Sequence, residues 1–328
     1  MEKKIKRAGV IGAGVMGATI AAQLANVGIE TFLLDIVPPE LTDGDKKKGL
    51  TRESKAFRDK FGQKGLNIAL KSKPASFYIP ENAKLITIGN LEDNLEWLSH
   101  VDWIIEVVVE RLNIKKSVFE KIETVLTPGT IVTSNTSGIS AKAMCEDRSE
   151  TFRNHFAITH FFNPPRYMKL LEIVPNPDTL PEVIETLADC CEKVLGKGVV
   201  YAKDTPNFVA NRIGTYHMFC VVNAMVDMGL TIEAVDKLTG PVIGNAKSAS
   251  FRTADLVGLD TLLHVAGNVY EGSPDDEKRD VFRPPDFINR MVKKKLLGEK
   301  TKQGFYKKSK DSEGKKVILT LDYNTLTY

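Results

Sequence analysis

Short apolar runs alternate with amphipathic stretches along the first 202 residues. Apolar runs of strand length predict β-strands at residues 5–11, 30–34, 84–88, 101–109, 130–133, 156–161, 170–174 and 198–201. Helical spacing between them predicts α-helices at residues 18–27, 91–98, 113–126 and 181–194. The run at 101–109 is apolar almost throughout, which is typical of a strand buried on both faces of a parallel sheet. This alternation predicts an α/β fold with a doubly wound sheet.

The pattern changes at Lys203-Asp204-Thr205-Pro206. Beyond this string the strand pattern stops, and helical spacing predicts helices at residues 208–228, 232–238, 253–270 and 285–297, with a strand-like piece at 317–321. We therefore expect two domains, with residues 1–202 forming the doubly wound domain and residues 203–328 a smaller all-α domain. Within the first domain, residues 46–73 predict a basic helical arm, a pair of helices broken between positions 62 and 65.

The turn after the first predicted strand has the spacing of a dinucleotide-binding fingerprint. It consists of Gly12, Ala13, Gly14, Val15, Met16 and Gly17. Gly12 permits the tight turn, Gly14 lets a pyrophosphate approach the helix N-terminus, and Gly17 permits close packing of helix on strand. Asp35 ends the next strand, 21 residues after Gly14. Because Asp35 can accept hydrogen bonds from ribose hydroxyls and would repel a 2′-phosphate, the pattern predicts a Rossmann-type domain that binds NAD.

Composition narrows the functional class. The 328 residues are 42% hydrophobic and 27% charged, with a formal net charge of +3, so there is no global nucleic-acid signature. The four cysteines lack metal-ligand spacing, and we expect no metal site and a reducing, cytoplasmic location.

No apolar run is long enough for a membrane span. The lysine-rich start resembles a signal peptide, but the fingerprint falls inside that stretch, so we expect no cleavable leader.

The predicted arm is strongly basic. Residues 46–73 contain ten lysines and arginines and two acids. One interpretation is a solvated charged face. The functional alternative is a clamp for a polyanionic substrate tail. Nucleic acid is a poorer third interpretation, because the stretch lacks aromatic platforms and a groove-binding motif.

Oxidation of an alcohol by a nicotinamide cofactor also needs a proton acceptor, and sites in open α/β sheets lie at the carboxyl ends of strands. Of the five histidines, His160 is the one that falls late in a predicted strand. Glu172 lies in an apolar strand, where an unpaired carboxylate is unfavourable. If the intervening turn folds this strand back, Glu172 can reach the imidazole. The alternative for His160 is a packed core histidine.

Two further polar residues are candidates for the same pocket. Ser137 lies in the loop after the predicted strand at 130–133, where a helix cap is an equally good interpretation. Asn211 lies in the first helix of the second domain, where a surface amide is the alternative.

Several strings of this sequence together resemble the 3-hydroxyacyl-CoA dehydrogenase family. They are the fingerprint, residues 106–110 with Lys115, and residues 134–138, 160–164, 168–172, 203–207 and 211–212. The resemblance extends from residue 6 to residue 306, and the string His-Phe-Phe-Asn-Pro followed by Met-Lys-Leu-x-Glu is its most specific part. It implies NAD-dependent oxidation of an (S)-3-hydroxyacyl-CoA to the 3-oxoacyl-CoA, in fatty-acid β-oxidation or its reverse.

The resemblance also implies residue roles. His160 takes the proton from the 3-hydroxyl and is paired with Glu172, while Ser137 and Asn211 hydrogen-bond the reacting part of the substrate. Cofactor contacts, besides the fingerprint and Asp35, are expected at Glu110, Lys115, Asn163 and Lys300. Lys115 is further expected near the coenzyme A moiety. The arm is expected to reach the coenzyme A phosphates, with Ser54 and Lys60 as the nominated residues.

The sequence differs from single-function family members at its end. Twenty-two residues follow Tyr306, and residues 248–260 are more similar to members fused to an enoyl-CoA hydratase. We therefore expect a fused or associated enoyl-CoA hydratase as a partner, in addition to an acyl-CoA substrate and a homodimer. Two alternatives remain open: a dehydrogenase of a free hydroxy acid or sugar acid, and a catalytically silent NAD-binding scaffold.

Overall fold

The computed structural model describes residues 4–328. The chain forms two compact units, one ending at Asp204 and the other beginning at Thr205. The first unit contains an eight-stranded sheet flanked by helices, and the second is mainly helical. This confirms the predicted fold class, a Rossmann-type doubly wound domain followed by a smaller helical one. No helix within residues 4–328 has the length and apolar character that crossing a membrane requires.

The sheet of the first unit has the strand order β3-β2-β1-β4-β5-β6-β7-β8. Its strands are β1 (Arg7–Ile11), β2 (Glu30–Asp35), β3 (Ile86–Asn90), β4 (Trp103–Glu106), β5 (Ile131–Ser134), β6 (Phe156–Phe161), β7 (Leu170–Pro175) and β8 (Gly198–Tyr201). Neighbouring strands are parallel except β6 and β7, which are antiparallel. Because the order reverses between β1 and β4, the carboxyl ends of these strands border the crevice where ligands bind in such sheets.

Eight α-helices complete the first unit. They are α1 (Val15–Asn26), α2 (Asp43–Lys47), α3 (Lys55–Arg58), α4 (Lys60–Lys71), α5 (Leu112–Val125), α6 (Ala141–Cys145), α7 (Glu150–Asn154) and α8 (Pro181–Asp189). Helix α1 is rich in alanine and lies buried along most of its length, because small side chains let its backbone approach the sheet.

The predicted break in the basic arm between positions 62 and 65 is wrong. Helix α4 runs through both glycines, and the break between α3 and α4 lies earlier, at Asp59. A Cβ atom at Gly62 would lie 2.4 Å from a methyl carbon of Ile88, and one at Gly65 would lie 2.3 Å from the carbonyl oxygen of Ala13. These glycines therefore let α4 pack against the sheet and the fingerprint turn, and they do not end a helix.

Two other predicted elements differ in the structure. The helix predicted at 91–98 is replaced by a turn and a 3₁₀ segment at Leu95–His100, because the side chain of Asn90 accepts hydrogen bonds from the backbone of Glu92 and Asp93. The strand predicted at 101–109 ends at Glu106, whose side chain accepts the N–H of Val108 at 2.6 Å and turns the chain out of the sheet.

The second unit contains the helices α9 (Ala210–Asp227), α10 (Ile232–Leu238), α11 (Phe251–Val257), α12 (Leu259–Gly272) and α13 (Asp286–Lys293). The helix predicted at 253–270 is divided at Gly258, which adopts a φ of +94°. A left-handed residue cannot continue a right-handed helix, so the chain restarts as α12.

The second unit contains a β-hairpin in addition to its helices, so it is mainly helical and not all-α as predicted. Strands β9 (Tyr306–Lys310) and β10 (Lys316–Thr320) pair antiparallel. The strand-like piece at 317–321 overlaps β10, whereas the lysine-rich β9 has no apolar pattern. Leu321 and Leu326, which follow the hairpin, are buried in the same core as Phe305.

Candidate active site

The fingerprint turn joins β1 to α1 and leaves one side open. Gly12 has a φ of +102°, and a Cβ at Gly17 would lie 1.8 Å from the carbonyl oxygen of Gly12. Both positions therefore require glycine. Gly14 has no atom within 4 Å of its would-be Cβ, and no side chain caps the first turn of α1 among the residues that the structure describes. An open backbone at an uncapped helix N-terminus fits the pyrophosphate of a dinucleotide.

Asp35 lies beside this turn at the end of β2. Its Oδ2 accepts the N–H of Ala13 at 2.6 Å, and its Oδ1 accepts the N–H of Ile36 at 2.7 Å. Burial raises the pKa of Asp35, although the two backbone N–H groups oppose this shift. The carboxylate is therefore held next to the fingerprint, where ribose hydroxyls of a bound NAD could reach it.

His160 and Glu172 face each other across the antiparallel pair β6–β7. The register places the two residues directly opposite, and His160 Nδ1 lies 2.7 Å from Glu172 Oε2. Both side chains are buried, and the ring of Phe162 lies 4.4 Å from the imidazole. Because a carboxylate at Nδ1 favours the proton on that nitrogen, Nε2 of the neutral imidazole is the nitrogen that can accept a proton.

Glu110 and Ser137 lie together beyond the ends of β4 and β5. Glu110 Oε1 accepts hydrogen bonds from Thr136 Oγ1 at 2.5 Å, from Ser137 N at 2.9 Å and from Ser137 Oγ at 3.3 Å. Burial opposes its ionisation, but Lys115 with these donors holds the pKa of Glu110 below its usual value. Ser140, and not Ser137, caps helix α6, so the helix-cap interpretation of Ser137 is excluded.

Lys115 is enclosed by two carboxylates. Only 1% of the residue is exposed, and its Nζ lies 2.9 and 3.0 Å from the two oxygens of Glu106 and 3.3 Å from Glu110 Oε2. A direct contact of this ammonium with coenzyme A does not fit that arrangement. Sequence reasoning missed Glu106 as a separate site residue. A carboxylate at the end of an apolar strand, with a lysine nine residues later, was the available signal.

Asn163 lies exposed in the turn between β6 and β7. Two residues that the sequence did not single out hold this region. Lys197 Nζ donates to the carbonyl oxygens of Met168, at 2.9 Å, and Pro165, while Asn135 Oδ1 accepts the N–H of Phe161 at 2.9 Å. Burial lowers the pKa of Lys197. These contacts connect the end of β6 with the loop after β5, and the turn after β6 with the residue before β8.

The arm offers a basic groove of about 670 Å³ along α4, lined by Ala56, Lys60, Gln63, Lys64, Asn67, Ile68, Lys71 and Ser72. Lys60 Nζ is bound to both oxygens of Asp45 at 2.6 and 2.8 Å, and Ser54 Oγ accepts the N–H of Thr51 at 2.9 Å. Both nominated residues thus have local partners. Lys64 and Lys71, by contrast, form no ion pair within the described part of the chain.

Two predicted site residues belong to the second unit. Asn211 lies half-buried in the first turn of α9. Lys300 donates to Asp260 Oδ1 at 2.6 Å and to Thr261 Oγ1 at 3.3 Å, and the hydrogen bond from Lys300 lowers the pKa of Asp260. Across residues 4–328, no group of three or more His, Cys, Asp or Glu side chains could hold a metal ion.

Sequence comparison covers both units of the chain. Residues 7–205 match the NAD-binding domain of 3-hydroxyacyl-CoA dehydrogenase, and residues 208–308 match its C-terminal domain. The chain belongs to the 3-hydroxyacyl-CoA dehydrogenase family. Its first unit is the NAD-binding domain of that family, and NAD is the cofactor.

Relatives of this 3-hydroxyacyl-CoA dehydrogenase family member differ in length. The chain is 53% identical over its full length to a probable 3-hydroxyacyl-CoA dehydrogenase of Bacillus subtilis, of which it spans only 41%. It is 47% identical to a probable 3-hydroxyacyl-CoA dehydrogenase of Deinococcus radiodurans, over 95% of this chain and 85% of that protein.

Solved structures of this family share the fold. The crystal structure of Mycobacterium tuberculosis FadB2 matches with a TM-score of 0.74 and 28% identity, over 94% of this chain and all of that one. That of (S)-3-hydroxybutyryl-CoA dehydrogenase PaaH1 from Ralstonia eutropha matches with a TM-score of 0.70 and 25% identity, over 92% and 98% of the two chains.

Proposed function

We propose that this chain oxidises an (S)-3-hydroxyacyl-CoA to the 3-oxoacyl-CoA with NAD, as a step of fatty-acid β-oxidation. The observation that carries the proposal is the buried His160–Glu172 pair, 2.7 Å apart, at the carboxyl edge of an NAD-binding sheet. A paired imidazole at this edge supplies the proton acceptor that alcohol oxidation needs. Family membership supports the choice of a 3-hydroxyacyl thioester as substrate.

His160 and Glu172 have different roles in the proposed proton transfer. His160 Nε2 takes the proton of the 3-hydroxyl group, and bound NAD supplies the acceptor for the hydride from C3. Glu172 keeps Nδ1 protonated and stabilises the imidazolium that forms, since a buried carboxylate attracts that charge strongly. Ser137 and Asn211 are proposed to orient the reacting part of the substrate. Glu110, Asn163 and Lys300 are proposed cofactor contacts.

The basic groove of α4 is the proposed site for the phosphates of coenzyme A. Lys64 and Lys71 line it, together with Lys60, whose charge is largely balanced by Asp45. Electrostatic attraction between this groove and a polyanionic tail would hold the thioester while its acyl part reaches His160. A free hydroxy acid or sugar acid, the alternative substrate, would have no use for the groove.

A larger assembly is also proposed. The chain spans 41% of its Bacillus subtilis relative and 44% of a putative fatty acid oxidation complex trifunctional enzyme of Rickettsia felis, to which it is 35% identical. These lengths support a fused or associated enoyl-CoA hydratase. The proposal of a homodimer is based on the family resemblance. The proposal of a cytoplasmic location is based on the free cysteines.

The activity assay follows NADH absorbance in the reverse direction. We expect NADH consumption with acetoacetyl-CoA and with longer 3-oxoacyl-CoA thioesters, and none with free acetoacetate. Turnover of the free acid alone would favour the alternative dehydrogenase. NADH binding without turnover of any substrate would favour the silent scaffold.

A further inference from the structure

We propose that Glu106 gives the site its excess negative charge and thereby raises its affinity for NAD⁺ relative to its affinity for NADH. This inference rests on the NAD-dependent activity proposed above. It concerns a residue that none of the proposed roles uses, because Glu106 is 0% exposed and lies behind Lys115.

Every described partner of the Glu106 carboxylate is a hydrogen-bond donor. Oε1 accepts from Val108 N at 2.6 Å and Oε2 accepts from Ser134 Oγ at 2.5 Å, while Lys115 Nζ contacts both oxygens. The Ser134 hydroxyl is itself an acceptor for the N–H of Thr136 at 3.2 Å, so its proton points to Glu106. Such a set of contacts fits an ionised carboxylate, whose oxygens accept hydrogen bonds and donate none.

The charges of this cluster do not cancel. Glu106 and Glu110 contribute two negative charges and Lys115 one positive charge, which leaves one net negative charge. All three side chains are linked through the Lys115 ammonium. Since the cluster is largely shielded from solvent, its field is screened less than that of a surface group.

The cluster lies where a nicotinamide ring is expected. Glu106 ends β4, the neighbour of β1 at the point where the strand order reverses, and Glu110 holds the loop after β5. A dinucleotide whose pyrophosphate sits on the β1–α1 turn crosses the sheet edge in this direction. The oxidised ring carries a positive charge that the reduced ring lacks, so a fixed negative charge stabilises only the oxidised form.

The test compares dissociation constants for NAD⁺ and NADH, measured by calorimetry and by NADH fluorescence, without any turnover. Glu106→Gln removes the excess charge and should weaken NAD⁺ binding about tenfold relative to NADH, the effect of one charge within about 10 Å at an intermediate dielectric. Glu110→Gln also makes the cluster neutral and should shift the ratio in the same direction. In this second variant Lys115 keeps its contacts with both oxygens of Glu106.

The double variant Glu106→Gln/Lys115→Met separates charge from structure. It disturbs more contacts than either single substitution. Because it removes one negative and one positive charge, Glu110 remains and the cluster again has one net negative charge. We expect its ratio of affinities to return close to that of the wild type. As a control, Glu182→Gln removes an exposed charge near the start of α8 and should change neither affinity.

Two results would overturn the inference: an unchanged ratio in Glu110→Gln, or a double variant whose ratio equals that of Glu110→Gln. The first result can be obtained even if no variant of Glu106 folds. Wild-type protein that binds both nucleotides but oxidises no thioester would instead contradict the proposed function. Thioester oxidation with an unchanged ratio would contradict this inference only.

Discussion

Two fully buried glutamates lie at the carboxyl edge of the same sheet, and their partners give them different chemistry. Glu172 faces the imidazole of His160, and Glu106 faces the ammonium of Lys115. A neutral imidazole has a ring nitrogen that can accept a proton, whereas a lysine ammonium has hydrogen-bond donors only. The first pair can therefore move a proton, and the second can only hold charge in place. The burial of an acid does not by itself reveal which of these tasks it has.

The two pairs also form by different structural routes. Antiparallel pairing of β6 with β7 aligns residues 160 and 172 directly, so the contact follows from strand register. Lys115 reaches Glu106 from α5, the helix that follows β4, so that contact depends on how the helix packs. A register contact tolerates little sliding, because a one-residue slip moves a side chain to the other face.

The largest effect is expected from the pair that is proposed to move a proton. Replacing His160 with Gln should lower kcat by about 10²–10⁴-fold, the usual contribution of a general base. NAD⁺ affinity should stay near the wild-type value, because the imidazole is not among the proposed cofactor contacts. Stopped-flow or steady-state NADH absorbance and calorimetry supply the two measurements. Near-normal turnover would contradict the role of His160.

A smaller effect is expected from its partner. Glu172→Gln should lower kcat by about 10–10²-fold, a part of what the general base contributes, since the amide orients the ring but no longer stabilises the imidazolium. The ratio of NAD⁺ to NADH affinity should not move, in contrast to Glu106→Gln. If both glutamate variants shift that ratio equally, the distinction between the two pairs fails. Circular dichroism of each variant controls for unfolding.

The smallest effect is expected for exposed charges, which solvent screens. The double variant Lys64→Ala/Lys71→Ala should raise the KM for acetoacetyl-CoA about fivefold, as each exposed ion contact contributes up to about 1 kcal/mol. The kcat and the NADH affinity should be unchanged, and the effect should shrink with added salt. Lys84→Ala, another exposed lysine of the first unit, is the matched control. An unchanged KM would remove the arm from substrate binding.

Much of this architecture could be predicted because it follows from local patterns. The fingerprint and the strand–helix alternation depend on periodicity and turn chemistry, which can be recognised in the sequence. For this reason the fold class was predicted correctly. Glu172 could be expected near His160 because a lone acid in an apolar strand needs a partner. The burial of Lys115 between two acids could not be predicted, since it depends on the packing of α5.

The wrong helix boundaries at glycines share a physical cause. Glycine ends helices and also permits close contacts, and sequence does not distinguish the two uses. Gly62 and Gly65 permit close contacts inside a continuous helix, whereas Gly258 adopts a left-handed conformation and divides a predicted helix. Strand β9 was missed because its polar residues acquire a strand conformation only by pairing with β10.

The contact of Gly65 with Ala13 has a consequence for protein engineering. The arm and the fingerprint turn meet backbone to backbone, with no room for a methyl group. An arm transplanted from another protein would need a residue without a side chain at this point, whatever charges it carried. A change in the backbone of the turn at Ala13 would likewise affect Gly65, which lies in the helix that lines the proposed thioester groove. Redesign of either site therefore has to preserve this contact.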